Sequence, residues 1–139
     1  MQDSLRHVYF LSDGTGITAE TLGSTLLTQF PQRKFSRTTV PFISTIAKAK
    51  SVVREIDQVA LKEEPPLVFS TAVNEEIRNE LAKCNGVLVD LIGEHVQMLE
   101  EALDTKASHQ PGQAHGLGNA LRYQSRMLAV EYALSLIHI

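Results

Sequence analysis

The sequence is poor in cysteine and aromatic residues, and it has no long apolar run. Its 139 residues include one cysteine, Cys84, and no tryptophan. A single cysteine excludes an internal disulfide bond, which favours a reducing compartment. No segment approaches the ~20 consecutive apolar residues of a membrane-spanning helix, and the first residues show no signal peptide. We therefore predict a cytoplasmic protein that does not insert into a membrane.

Neither sign of charge dominates the chain. Lysine and arginine number 13, aspartate and glutamate number 16, and the net charge is −3. No overall positive field therefore draws the chain to nucleic acid or to an anionic membrane surface. Hydrophobic residues make up 43% of the chain, which is enough for the core of one domain at this length. Function must therefore come from a local site.

Short, apolar, β-rich runs alternate with segments of helical periodicity. This alternation predicts a parallel sheet with helices packed on its faces. The predicted fold class is α/β: an open, mostly parallel sheet of about four strands with helices on both faces, Rossmann-like, followed by a long loop and a helix. The predicted strands are residues 7–11, 35–42, 67–70 and 87–91.

The helical segments have their own signals. After the first strand, Ala19, Leu22, Leu26 and Phe30 recur at helical spacing with Leu27 beside them, which predicts a helix whose apolar side packs on the sheet. Ser44 and Asn74 stand where they can cap the second and the third helix.

The chain divides into three predicted parts. Residues 1–104 form the α/β domain. Residues 105–135 form a loop and a last helix, and the loop is long for a compact domain, which is typical of functional segments. Residues 136–139 continue an apolar run to the chain end without a capping glycine or a polar tail. Because helix ends leave carbonyl groups to be satisfied, we expect the sequence to be a piece of a longer protein, and residues 136–139 to be an artefact of the truncation.

The turn after the first strand is the main candidate site. In an open parallel sheet, ligands bind outside the carboxyl ends of the strands. Gly14 and Gly16 let the backbone approach a ligand closely, and the unpaired N–H groups at the following helix start suit an anion. Ser12, Thr15 and Thr18 add hydroxyl donors. The pattern therefore predicts a phosphate or substrate site.

Three features limit that prediction. The turn has no Walker lysine, and after Gly14 and Gly16 the dinucleotide pattern continues with Ala19, the tolerated variant. Asp13 would repel a bare phosphate, although it could hold Mg²⁺ through water or accept a proton from a hydroxyl nucleophile. The simpler alternative is that the segment is only a tight turn and a helix cap.

Other candidate residues lie outside the turn. His109 and His115 in the long loop suit acid–base or phosphate chemistry, although a surface histidine more often has neither role. Arg122 and Arg126 are one helical turn apart and could clamp an anion, or they could form a solvated helix face. Asp90, near the end of the fourth strand, is a weaker candidate at the same sheet edge as the turn.

Several longer segments resemble one family. These are RHVYFLSDGTGITAETLG (6–23), LLTQFP (26–31), VPF (40–42) and RYQSRMLAVEYAL (122–134). They are similar to the regulatory proteins of phosphoenolpyruvate synthase and of pyruvate, phosphate dikinase, which are bifunctional kinase–pyrophosphorylases. The resemblance runs from about residue 6 to residue 135, and the SDGTGITAE block is its most specific part.

The resemblance implies two opposed reactions. The family phosphorylates a threonine of its target enzyme with ADP as donor, which inactivates the target. It removes that phosphate with inorganic phosphate as acceptor and pyrophosphate as product. The implied partner is phosphoenolpyruvate synthase, with pyruvate, phosphate dikinase as the alternative. Mg²⁺ and a homodimer of the full-length protein are also implied.

The resemblance also suggests roles for individual residues. Residues Ser12 to Gly16 and Thr18 match the glycine motif of the family, and Tyr123 and Arg126 match its Y-x-x-R pattern. The resulting hypothesis places the turn opposite a P-loop, where it holds phosphate or phosphothreonine, with Asp13 as the base for the threonine hydroxyl.

One departure changes the expected activity. Family members continue after the segment matching 122–134 through a strand into a Walker-type P-loop, and the ending SLIHI does not resemble that continuation. Phosphoryl transfer depends on the P-loop lysine and the metal to neutralise charge. We therefore predict that the 139-residue chain alone neither transfers phosphate nor binds ADP tightly.

A rival function of another class is electron transfer. The hydroxyl- and glycine-rich segment from Ser12 to Thr18 is similar to the phosphate loop of flavodoxins, which bind flavin mononucleotide. Flavin sites add aromatic side chains that stack on the ring from later loops. The chain has no tryptophan, and Tyr123 is predicted on a helix, so this alternative has less support from the sequence.

Overall fold

A computed structural model describes residues 5–110 and shows four strands that alternate with four helices. The predicted order of elements is confirmed, with ends that differ by one or two residues for three of the strands. The elements are β1 (Arg6–Leu11), α1 (Ile17–Leu27), β2 (Phe35–Val40), α2 (Ile46–Lys62), β3 (Leu67–Ser70), α3 (Glu75–Leu81), β4 (Val87–Asp90) and α4 (Gly93–Leu103).

The four strands form one open, parallel sheet in the order β2-β1-β3-β4. β1 and β3 are direct neighbours, with Leu11 opposite Ser70 at their carboxyl ends. From β1 the chain passes through α1 to β2 on one side, and from β3 it passes through α3 to β4 on the other. The strand order therefore reverses between β1 and β3, and this is the position where such sheets bind ligands.

Helices cover both faces of the sheet, as predicted. On one face, α2 and α3 pack on Tyr9, Leu11 and Val68. On the other face, α1 packs on a smaller cluster that includes Phe10 and Phe69. Alternate residues of β1 thus serve opposite cores, as expected for a strand buried on both faces.

The face of α1 that packs on the sheet agrees with the prediction at Ala19 and Leu27 and differs from it at Leu26 and Phe30. The buried residues are Ala19, Gly23 and Leu27, whereas Leu26 is 45% exposed and Phe30 is 57% exposed. An added Cβ on Gly23 would lie 2.5 Å from Cε1 of Phe10. Because the helix backbone lies directly on this ring, the position that faces the sheet has to be glycine, which a search for large apolar residues misses.

Helix caps follow local sequence. The predicted cap of α2 was wrong by one residue, because the side chain of Thr45, and not that of Ser44, accepts the N–H of Lys48 at the start of the helix. The predicted cap of α3 is confirmed, because Asn74 Oδ1 accepts the N–H of Ile77 at 3.1 Å. α4 ends at Leu103, and the next residue, Asp104, caps it in a left-handed conformation (φ 49°).

The remaining predictions meet the structure only in part. Residues 105–110 contain no helix or strand, in agreement with the predicted loop. The predicted helix that carries Tyr123 and Arg126, and residues 136–139, lie outside the described residues. The division into a domain over 1–104 and a segment over 105–135 stays a prediction. Among the helices of the described part, none is long and apolar enough to cross a membrane.

Candidate functional site

The loops that follow the four strands meet at one edge of the sheet, because all strands run in the same direction. The turn from Ser12 to Thr18 follows β1, and the loop from Thr71 to Asn74 follows β3. These two segments lie on either side of the position where the strand order reverses. The structure therefore puts the predicted turn at the place in the fold where a ligand site is expected.

The turn depends on glycine at one position. Gly16 adopts φ +86°, and a Cβ there would lie 3.0 Å from Cγ2 of Thr39. Both the left-handed conformation and the close neighbour favour glycine. The turn is further shaped by its hydroxyl groups, since Ser12 Oγ accepts the N–H of Gly14 at 2.9 Å and Thr15 Oγ1 accepts that of Ile17 at 3.4 Å. Ser12 is therefore engaged within the turn itself.

The loop after β2 holds the turn from one side. Gly14 O accepts the N–H of Phe42 at 2.8 Å, and Ser12 O accepts that of Ile43 at 2.9 Å. Lys48 Nζ donates to the carbonyl groups of Pro41 at 2.9 Å and of Phe42 at 3.2 Å. Phe42 adopts φ 55°, which is unusual for a residue other than glycine. These bonds hold that conformation in place.

Asp13 holds the turn from the other side. Its Oδ2 accepts the backbone N–H of Val73 at 2.9 Å and that of Asn74 at 2.8 Å. The residue is 7% exposed. Asp13 therefore bridges the loops after β1 and β3, across the position where the strand order reverses. This contact joins residues about sixty positions apart, so no local sequence signal could have revealed it.

Asp90 has a comparable role at the end of β4. Its Oδ1 accepts the N–H groups of Ile92 and Gly93 at 3.1 and 2.7 Å, and its Oδ2 lies 2.8 Å from Nη2 of Arg78. Burial alone would raise the pKa of the Asp90 carboxyl, but the Gly93 N–H, the Arg78 guanidinium and the Ile92 N–H together lower it. Asp90 is therefore held ionised, as a structural anchor of α3 and α4.

Gly93 and Arg78 lie beside Asp90 at the end of β4, and neither was predicted from the sequence. A Cβ on Gly93 would overlap both Nη2 of Arg78 and Oδ2 of Asp90. The available signal was a glycine three residues after an aspartate at a strand end, which fits an Asx-type turn. The ion pair itself had no local signal, because Arg78 precedes Asp90 by twelve residues.

His109 joins the same region through the loop after α4. Its Nδ1 lies 3.2 Å from the carbonyl oxygen of Val73, which requires the Nδ1–H to donate. Its Nε2 lies 3.6 Å from Oε2 of Glu100. The N–H of Ala107 and, to a smaller extent, Lys106 and His109 lower the pKa of Glu100 against its desolvation. His109 thus packs against the loop that Asp13 binds, whereas His115 lies outside the described residues.

Two cavities adjoin this region. A small one of about 150 Å³ lies between the loop after β3 and residues 107–110, and its lining includes Arg78, Val96 and His109. A wider groove of about 770 Å³ runs along α4 between charged side chains such as Glu75, Arg78 and Glu101. Neither lining includes residues of the turn from Ser12 to Thr18.

The described residues do not fit a complete nucleotide or metal site. The turn contains no lysine to neutralise a β-phosphate. Over residues 5–110, no three His, Cys, Asp or Glu side chains lie together as a metal site, and Oδ2 of Asp13 is already occupied by two N–H groups. The described residues of the turn therefore do not form a Mg²⁺ site by themselves. Burial raises the pKa of the Cys84 thiol, which opposes a nucleophilic role.

The structure brings some of the predicted site residues together in one turn. Ser12, Asp13, Gly14, Thr15, Gly16 and Thr18 form one turn, and Asp90 lies at the same edge but two strands away from β1. The structure joins Asp13 to Val73, and Val73 to His109, which are connections that the sequence did not indicate. Arg122, Tyr123 and Arg126 lie outside the described residues.

The family model and the similar curated proteins indicate the same family. A family model described as kinase/pyrophosphorylase matches residues 8–136. Similar curated proteins are named phosphoenolpyruvate synthase regulatory protein. One from Bordetella pertussis is 44% identical over 131 residues, and one from Legionella pneumophila is 43% identical over 131 residues. One from Pseudomonas savastanoi is 41% identical over 130 residues.

These alignments cover almost all of the chain but only part of each relative. They include 93–94% of the chain and 48% of each of these three relatives. The chain thus spans about half the length of the curated relatives that it matches.

Proposed function

The chain belongs to the kinase/pyrophosphorylase family, and from that premise we propose that it contributes to the reversible phosphorylation of phosphoenolpyruvate synthase. In the forward reaction, the β-phosphoryl group of ADP passes to a threonine hydroxyl of the target, AMP leaves, and the hydroxyl proton is released. In the reverse reaction, inorganic phosphate attacks the phosphothreonine, which frees the threonine and forms pyrophosphate. A cytoplasmic location is part of the same proposal.

The carrying observation is the geometry of the turn after β1. Gly16, in its left-handed conformation, opens α1 directly at the ligand edge of the sheet. The hydroxyls of Thr15 and Thr18 lie on half-exposed residues beside this helix start. N–H groups at a helix start and hydroxyl donors suit a phosphoryl group. We propose that this turn is the wall that holds phosphate or phosphothreonine.

The nucleotide itself is assigned to another part of the protein. The 139 residues contain no G-x-x-x-x-G-K-[ST] pattern, and such a loop supplies the lysine and the hydroxyl that hold nucleotide phosphates and Mg²⁺. In this proposal a P-loop outside these residues faces the turn, and Arg126 and Tyr123 lie on the connection between them. A homodimer of the full-length protein is compatible with this arrangement.

A labelled transfer assay tests the function. Protein expressed from its complete reading frame is incubated with phosphoenolpyruvate synthase and ADP labelled on the β-phosphate. The expected result is label on a threonine of the synthase and its release as pyrophosphate when inorganic phosphate is added. Label on pyruvate, phosphate dikinase instead would replace the partner. No label on either enzyme, with ADP or ATP as donor, would reject the function.

A pair of variants tests the turn. Thr18→Val removes one hydroxyl beside the helix start, and we expect transfer to slow at least about tenfold, as for a lost donor to a reacting group. Thr21→Val makes the same change one turn further along α1 and should stay within about twofold of the parent. Equal rates for the two variants would remove Thr18 from the site.

The flavin alternative has one supporting observation. The order β2-β1-β3-β4 is also that of the first four strands in flavodoxin-like sheets. Strand order describes a fold, and one fold hosts many functions. The family match favours phosphoryl transfer. Purified protein that shows flavin absorbance in visible light would revive the alternative.

A further inference from the structure

We infer that Asp13 is a positioning residue, which fixes the glycine turn against the loop before α3. This inference rests on the proposed function and concerns the role of one residue within it. The residue type alone favours a proton acceptor for the threonine hydroxyl. The contacts of its carboxylate favour a different role.

One oxygen of the Asp13 carboxylate is already bound. Oδ2 of Asp13 accepts two N–H groups from consecutive residues, Val73 and Asn74, at 2.9 and 2.8 Å. Hydrogen bonds between an ionised oxygen and backbone N–H groups are among the strong ones in proteins. Removing the carboxylate would leave two donors without their partner, which is costly for part-buried groups.

The Asp13 carboxylate is also poorly accessible to a threonine of a protein partner. A general base has to approach the hydroxyl that it deprotonates to about 2.6–3.2 Å. Asp13 is 7% exposed, whereas Thr15 and Thr18 on the same turn are only half-buried. A threonine of a protein partner therefore reaches the hydroxyls and N–H groups of the turn more readily than the Asp13 carboxylate.

The bridge from Asp13 lies just beyond the paired parts of β1 and β3. The ladder between β1 and β3 ends with the bond from the Thr71 N–H to the Leu11 carbonyl at 3.0 Å. Beyond this bond, α1 and α3 leave toward opposite sides of the sheet, and Asp13 joins the two loops again. The carbonyl of Val73 is held in turn by His109. One peptide thus links the turn to the segment that leads out of the α/β domain.

Three variants separate the two roles. Asp13→Asn keeps an oxygen that can accept both N–H groups but removes the charge and the proton acceptor. Asp13→Ala removes the bridge as well. Ser70→Ala is the matched control, because Ser70 is also buried (4% exposed) at a strand end of this edge, and its Oγ accepts one backbone N–H, that of Ala72, within residues 5–110.

Amide hydrogen exchange in the 139-residue chain tests the bridge. For Asp13→Asn, we expect protection of the Val73 and Asn74 amides within about threefold of the parent. For Asp13→Ala, we expect a loss of at least about tenfold at both amides, and for Ser70→Ala a loss at Ala72 without one at Val73 or Asn74. Unchanged protection in Asp13→Ala would overturn the inference.

Transfer by the protein from its complete reading frame tests the role. Asp13→Asn should keep kcat within about threefold and keep the pH profile of the parent, whereas a misplaced turn in Asp13→Ala should lower kcat about a hundredfold. If Asp13→Asn loses as much activity as Asp13→Ala while both amides stay protected, Asp13 is the proton acceptor and the inference is overturned. Wild-type kcat in Asp13→Ala would overturn it as well.

Two outcomes need separate treatment. If Asp13→Ala does not fold, Asp13→Asn alone decides between the two roles. A positioning residue predicts a nearly unchanged kcat for this variant, and a proton acceptor predicts a large loss. If the parent transfers no phosphate to either target, the proposed function fails, and the exchange experiment still confirms or rejects the bridge. Failure of the function and failure of the inference are therefore distinguishable.

Discussion

Arg78 and Asp90 form an ion pair that ties the middle of α3 to the carboxyl end of β4. Nη2 of Arg78 lies 2.8 Å from Oδ2 of Asp90, and the two side chains are 30% and 28% exposed. The other carboxylate oxygen accepts the N–H groups of Ile92 and Gly93, which begin α4. One carboxylate thus fixes the position of two helices at the edge that carries the candidate site.

Gly93→Ala should destabilise the domain. The added Cβ would overlap Nη2 of Arg78 and Oδ2 of Asp90, so the ion pair has to shift or break. We expect a loss of about 1–3 kcal/mol in the free energy of unfolding, as for overpacking at a crowded position. Urea denaturation followed by circular dichroism measures it.

A second glycine serves as the control for that prediction. Gly14→Ala places a Cβ 3.6 Å from its nearest neighbour, Oγ of Ser12, which is an ordinary contact. We expect a change in unfolding free energy of less than about 1 kcal/mol. If both variants unfold at the same urea concentration, crowding at Gly93 is not the reason for its glycine.

Asp90→Asn should reduce the pH dependence of stability in acid. The pKa of Asp90 is lowered in the folded state, although burial opposes the shift. Its stabilising contribution is therefore present above its ordinary pKa of about 3.9 and disappears as the pH falls through the lower, folded value. We expect the variant to be less stable than the parent at pH 7 and the difference to shrink toward pH 3.

Urea denaturation at several pH values measures this effect. Glu101→Gln, which removes an exposed carboxylate on α4, is the control and should follow the parent at each pH. A constant difference between Asp90→Asn and the parent from pH 7 to pH 3 would contradict the prediction.

Gly23→Ala should also destabilise the domain, against the helix propensity of the two residues. Alanine gains about 1 kcal/mol over glycine in a helix, but the new Cβ would lie 2.5 Å from Cε1 of Phe10 and 3.0 Å from Cγ of Phe69. We expect the collision to dominate, with a net loss of about 1–3 kcal/mol.

The neighbouring residue gives the matched control. Ser24→Ala changes a half-buried position on the same helix, and its effect should stay within about 0.5 kcal/mol. Thermal denaturation compares the two variants directly. A stabilised Gly23→Ala would mean that α1 moves away from the sheet at little cost.

The order of elements was predictable because it depends on local signals. The run at 67–70 and the cap at Asn74 are defined by a few neighbouring residues, and both are confirmed. The turn from Ser12 to Thr18 was predictable for the same reason. Each of these features is specified by apolar periodicity, glycine or a capping side chain within one short segment.

The contacts between elements were not predictable in this way. Asp13 binds Val73 only because β1 and β3 are neighbours, and the alternation of strands and helices does not specify which strands pair. On the buried face of α1, Gly23 was missed because it has no side chain that a periodicity search could count. Both features depend on which elements pack together in the folded chain, and residues far apart in the sequence decide this.

The 139-residue chain alone should not transfer phosphate. The candidate turn has hydroxyls, helix-start N–H groups and Asp13, but it has no lysine. The bridge to Val73 and Asn74 also takes up Oδ2 of its one carboxylate. Phosphoryl transfer depends on positive groups that neutralise the charge of the phosphates. Because the turn has no lysine to do this, we expect it to bind ADP with a Kd weaker than about 1 mM.

The chain and the protein from the complete reading frame should therefore differ in both measurements. Equilibrium dialysis with ADP measures binding, and transfer of label from the β-phosphate of ADP to phosphoenolpyruvate synthase measures activity. The protein from the complete reading frame, to which the proposed function assigns the P-loop, is the positive control for both. Transfer by the 139-residue chain itself would show that its own residues supply the missing charge, and Arg126 would then be the first residue to test, because it is the arginine of the Y-x-x-R pattern.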